Sequence, residues 1–185
     1  MNLKNTEGTI RNDYNTANKL TKVLFIIYLV ALWWILVFKL GVRFSYMGNR
    51  SINLIPFSEF LILNGKPDLG ELIMNVVIFV PLGIYAGILF ARWNFGKKVF
   101  LIFLISLMIE GLQFIFRVGA FDITDIITNA LGGIIGLMIF NAIKKVFNNN
   151  LKAQKFINII AALGTVLMIL LLLLLKLNML PVRYK

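Results

Sequence analysis

Long apolar runs separated by short polar breaks dominate the chain. They fall at about 20–40, 72–91, 99–116, 123–143 and 156–175, after a polar opening of residues 1–19 that carries Asn2, Asn5, Asn12, Asn15 and Asn18. Each run is close to the roughly 20 residues an α-helix needs to cross about 30 Å of hydrocarbon. The pattern predicts an all-α integral membrane protein, a bundle of about five transmembrane helices. Residues 1–19 read as a disordered tail on the cytoplasmic side. No small-residue cleavage site follows the first run, which predicts an uncleaved first helix. Residues 41–71 form the longest connection, and its centre at 52–63 is apolar but too short to span as a helix. Pro56 would interrupt a helix there, so an interfacial or re-entrant segment is expected. The organisation is then a tail over 1–19, a membrane domain over 20–145, and a basic loop, fifth helix and short C-terminal tail over 146–185.

Polar residues break the apolar pattern most sharply between Glu110 and Asn129, in the stretch EGLQFIFRVGAFDITDIITN. Glu110, Gln113 and Arg117 stand at relative positions 0, 3 and 7 before a break at Val118-Gly119-Ala120. Asp122, Asp125 and Asn129 repeat that spacing after it. On a helix, these positions share one stripe. A carboxylate near the bilayer centre costs roughly 2.5–3.5 kcal/mol, so an ionisable residue inside a span is a functional candidate by default.

Composition narrows the chemistry. The 185 residues are 59% hydrophobic and 15% charged, against about a quarter charged in a soluble domain. The net charge of +11 lies in short loops between apolar runs. There it sets topology and meets anionic lipid headgroups; nucleic acid is not the expected partner. With five spans, eleven lysines and arginines fall on the side of the N-terminus (Lys4, Arg11, Lys19, Lys22, Arg92, Lys97, Lys98, Lys144, Lys145, Lys152, Lys155) and eight on the other. The bias predicts a cytoplasmic N-terminus. The sequence contains no Cys and no His, which removes thiol catalysis, His-based triads and the usual zinc ligand sets. Catalysis would have to run on carboxylates, an Arg, amides or an oxygen-bound metal, and neither a cofactor nor a metal can be named.

In this topology the third helix ends, and the second and fourth begin, on the outer side. Glu110 and Asn129 are then expected at similar depth, with Gln113 near Asp125, Arg117 near Asp122, and Asn75 of the second helix close by. An outward-facing polar cleft accommodates them all. Gly83 with Gly87 and Gly132 with Gly136 form two G-x-x-x-G pairs, which permit close helix approach. Together they predict a core of helices two, three and four.

The ordered elements Asn53-Leu54-Ile55-Pro56-Phe57, Asn75-x-x-x-Phe79-x-Pro81-x-Gly83, Glu110-x-x-Gln113 and Arg117-x4-Asp122-x-x-Asp125-x-x-x-Asn129-x-x-Gly132 resemble the VanZ-like family. They extend over the membrane domain expected at 20–145. The resemblance implies a small multi-pass protein of a Gram-positive bacterial cell membrane, in a family named for a member that gives low-level teicoplanin resistance. It implies positions and not roles, since no catalytic set defines the family.

Two functions fit these residues. One is a binding or resistance protein whose cleft engages a lipoglycopeptide or a lipid-linked cell-wall precursor, with Asn75, Gln113, Arg117 and Asn129 as binding residues. The other is an enzyme on a lipid-linked or phosphate-bearing envelope substrate. There Glu110, Asp125 and Asp122 are the catalytic candidates or hold Mg²⁺, while Arg117 grips an anionic group. A transporter would show inverted repeats of broken helices, which are not evident. Asn53 and Pro56 read either as a lid over the cleft or as an ordinary interfacial loop.

Overall fold

Backbone groups in hydrocarbon must be satisfied within their own segment, and the apolar runs accordingly form helices. The computed structural model describes residues 3–38, 52–57, 62–63, 66–67, 69–116 and 119–176. In chain order these are α1 (Leu3–Phe38), β1 (Ile52–Asn53), β2 (Ile62–Leu63), β3 (Lys66–Pro67), α2 (Leu69–Leu89), α3 (Phe95–Phe116), β4 (Phe121–Asp122), α4 (Ile123–Phe147) and α5 (Asn150–Lys176). Each of the five helices contains a stretch long and apolar enough to cross a membrane: Arg11–Leu36, Leu72–Leu89, Phe95–Phe116, Ile123–Phe147 and Asn150–Leu170. The chain divides into two compact units, Leu29–Val146 and the pair of segments Met1–Tyr28 and Phe147–Lys185.

In the first unit, α2 and α4 touch through their glycines. A Cβ on Gly83 would meet the carbonyl of Gly133, one on Gly132 the carbonyl of Val76, and one on Gly136 the carbonyl of Val80. Gly87 faces the Phe140 ring, and Gly133 is covered by the Ile102 side chain of α3. The predicted core of helices two, three and four is therefore present, with backbone against backbone along α2 and α4. Phe79, Leu82, Ile102 and Leu137 fill it and are almost wholly buried. Pro81 lies inside α2, which continues past it.

In the other unit, helix α1 begins at Leu3, and Asp13, Ala17 and Asn18 of the stretch that reads as tail bond to α5. Gln154 Nε2 donates to Asn18 Oδ1 (2.9 Å) and to Thr21 Oγ1 (2.8 Å). Asn158 Nδ2 donates to the Ala17 carbonyl (3.0 Å), and the Thr21 hydroxyl lies 2.9 Å from Asn158 Oδ1. Lys155 pairs with Asp13 at 2.7 Å. Asparagine and threonine favour loops when alone, but here tertiary hydrogen bonds override that preference. The basic loop expected after 146 is also shorter than its charge suggests. Asn148 adopts a left-handed φ of 46°, and Asn149 Oδ1 then accepts from Leu151 N (2.9 Å) and Lys152 N (3.0 Å), capping α5. Lys144, Lys145, Lys152 and Lys155 thus stand on helices.

Candidate functional site

The site is built within Leu29–Val146, around the start of α4. A helix begins with backbone N–H groups that have no partner inside the helix. Asp122, immediately before α4, accepts from Thr124 N through Oδ1 at 2.7 Å, an N-cap bond. Its second oxygen accepts from Asn53 Nδ2 at 3.0 Å. Those two residues are register partners in the parallel pair of β1 and β4. Asn53 Oδ1 in turn accepts from Ile55 N (3.2 Å), and Phe57 N donates to Thr124 Oγ1 (3.0 Å). Residues 52–57 are therefore stitched across the start of α4. Asn53 points inward and is buried, while Ile52, Leu54, Ile55 and Phe57 are exposed. Where a lid or an ordinary loop was expected, this segment is a strap, and Asn53 is its anchor.

Glu110 is 2% exposed, and its Oε2 accepts from Asp122 N at 3.4 Å. Asp125, in the first turn of α4, accepts from Asn75 Nδ2 of α2 at 2.8 Å. A carboxylate there is favoured by the helix dipole. Gln113 Nε2 donates to the Leu36 carbonyl at 2.8 Å, closing one of the carbonyls left open near the end of α1. Below these, Asn129 Nδ2 donates to Ser106 Oγ at 3.0 Å between α4 and α3. Arg117 lies outside the described residues.

The structure brings Asn75, Glu110, Gln113, Asp122, Asp125 and Asn129 to one end of the core helices, with different pairings from those expected. Asn129 lies beside Ser106, one turn deeper than Glu110, and Glu110 reaches Asp122. Gln113 serves α1, while Asp125 is held by Asn75. The connection after α3 is described from Gly119 onward. Its described part includes β4, which packs against α3 just before α4 begins. Ser106 and Thr124 escaped the sequence reading. Ser106 stands four residues before Glu110 on the same stripe, and Thr124 follows Asp122 at the spacing of a cap.

Chemically, the cluster offers carboxylates, primary amides and hydroxyls within an otherwise apolar core. Among the described residues, no group of three or more acidic side chains converges as a metal site would require. Glu110 and Asp125 each make further polar interactions.

Five helices of spanning length with a buried polar cluster at one end define a multi-pass integral membrane protein. The VanZ/LLP1 family profile matches residues 25–148, which include every described residue of the cluster. The chain belongs to the VanZ/LLP1 family. It is 36% identical over 156 residues to Protein VanZ of Enterococcus faecium, covering 83% of this chain and 91% of the relative. No solved structure matches it.

Proposed function

We propose that this protein protects the bacterial cell envelope against lipid-tailed glycopeptides such as teicoplanin. In this reading it sits in the cell membrane with its N-terminus in the cytoplasm and the polar cluster at the outer face. The cluster of Asn53, Asn75, Glu110, Asp122, Asp125 and Asn129 binds the glycopeptide or a lipid-linked cell-wall precursor. What carries the reading is the 36% identity to Protein VanZ across 91% of that relative. The cluster supports it as the binding element, because it gathers carboxylates and amides within an otherwise apolar core, where an ionisable group is a functional candidate by default. Binding requires no bond to be made or broken, and no observation favours the enzymatic alternative on an envelope substrate.

The test is teicoplanin susceptibility in a Gram-positive host lacking the protein. Wild type is compared with Asp125→Asn and Glu110→Gln, and membrane abundance is checked for each. Wild type is expected to raise the inhibitory concentration, and both variants to lose that protection at equal abundance. Full protection by both variants would remove the cluster from the function. A wild type that gives no protection would end the resistance reading.

A further inference from the structure

The deepest layer of the cluster contains Ser106, at 0% exposure, and Asn129, at 1%. Among the described residues, Asn129 Oδ1 is a fully buried oxygen with no hydrogen-bond partner. An unmet polar atom in such a place costs about 1–3 kcal/mol, and more apolar alternatives of similar size exist. Ser106 supplies only one contact to this amide, as the acceptor from Nδ2 at 3.0 Å, so its own proton remains to be given.

We infer that Ser106 and Asn129 form the floor of the binding site proposed above, and that this floor receives a hydroxyl group. The inference rests on that reading of the cluster. A hydroxyl both donates and accepts. With the amide as described, the incoming O–H donates to Asn129 Oδ1 and its oxygen accepts from Ser106. With the amide turned over, Ser106 donates to Oδ1, Nδ2 donates to the incoming oxygen, and the incoming proton faces the acidic layer one turn above, where Glu110 and Asp125 stand. A phosphate dianion has no proton for Oδ1, and an ammonium has no lone pair for Ser106 or Nδ2. A hydroxyl satisfies the floor in either orientation, as a water molecule also does. For an occupant held among apolar helices, the ligand class is a hydroxyl-bearing amphiphile, a sugar or polyol headgroup on an apolar tail.

The full-length protein in lipid nanodiscs is titrated at about pH 8, where the phosphate monoester is a dianion, below micellar concentration with three probes sharing one tail: octyl glucoside, octyl phosphate and octylammonium. Octyl glucoside is expected to raise the unfolding midpoint of wild type saturably. The Ser106→Ala/Asn129→Leu variant is expected to lose that rise and to lose teicoplanin protection at equal abundance. If the variant-sensitive rise comes with octyl phosphate or octylammonium, or with no probe, the hydroxyl assignment is overturned. If the double variant protects fully while Asp125→Asn does not, the layer is structural or holds only a bound water; the inference then fails and the cluster reading survives. If Asp125→Asn and Glu110→Gln also protect, the reading of the cluster itself has failed. Should the double variant accumulate poorly, Ser106→Ala alone removes one hydroxyl from a helix interior and must still weaken the glucoside response at least several-fold.

Discussion

Asn75 of α2 donates a 2.8 Å hydrogen bond to Asp125 of α4, joining two helices whose backbones already touch at Gly83 and Gly132. The glycines fix how near the helices come, and the amide-carboxylate bond fixes their register at the end where the cluster lies. Exchanging the two groups tests this. Asn75→Asp alone sets two carboxylates against each other and is expected to destabilise by about 1–3 kcal/mol. Asn75→Asp with Asp125→Asn restores one donor facing one acceptor and should recover most of that loss in detergent unfolding. Teicoplanin protection should stay impaired, since the charge has moved from α4 to α2.

Close packing makes a second, separable prediction. Gly83→Ala and Gly136→Ala each push a methyl group into a carbonyl of the facing helix, where no side chain can turn away. A loss of about 2–3 kcal/mol is expected from each, at the upper end of overpacking costs. Gly164→Ala on α5 is the control, because nothing lies within 4 Å of its added Cβ. It should be neutral or raise stability by up to about 1 kcal/mol through helix propensity. Thermal unfolding of the three variants in one detergent decides the matter, and equal losses would refute the packing account.

Much of this was legible in the residues. The five spans appear as five apolar runs because hydrocarbon demands both length and apolarity of a helix. The glycine pairs were readable for a similar reason, since four-residue spacing places them on one face. What the sequence did not reveal depended on partners distant along the chain. Asn18 reads as tail because its partner Gln154 is 136 positions away. Asn53 reads as loop until β1 is laid beside β4. Ser106 is one small polar residue in an apolar run, and nothing local distinguishes it from ordinary helix packing. That Asn129 lies level with Ser106 and not with Glu110 is a matter of tertiary packing, and hydropathy carries no signal for that.

The contact of α1 with α5 provides a third prediction. Asn158→Leu leaves Thr21 and the Ala17 carbonyl with fewer partners, and should cost about 1–3 kcal/mol. Thr21→Val together with Asn158→Leu removes polar atoms from both sides. It should cost less than the two single changes added together, because the residues are directly coupled. Additive losses in a double-mutant cycle would show that the two side chains act independently.

That contact also orders the protein's biogenesis. Translation produces α1 first, yet Thr21 finds Asn158 only after a further 137 residues have been added. Until α5 emerges, Asn18 and Thr21 occupy an apolar helix face without these partners. A chain interrupted before Asn150 keeps every described residue of the polar cluster but lacks the helix that covers that face. In such a product Asn18 and Thr21 lack every hydrogen bond that α5 gives them.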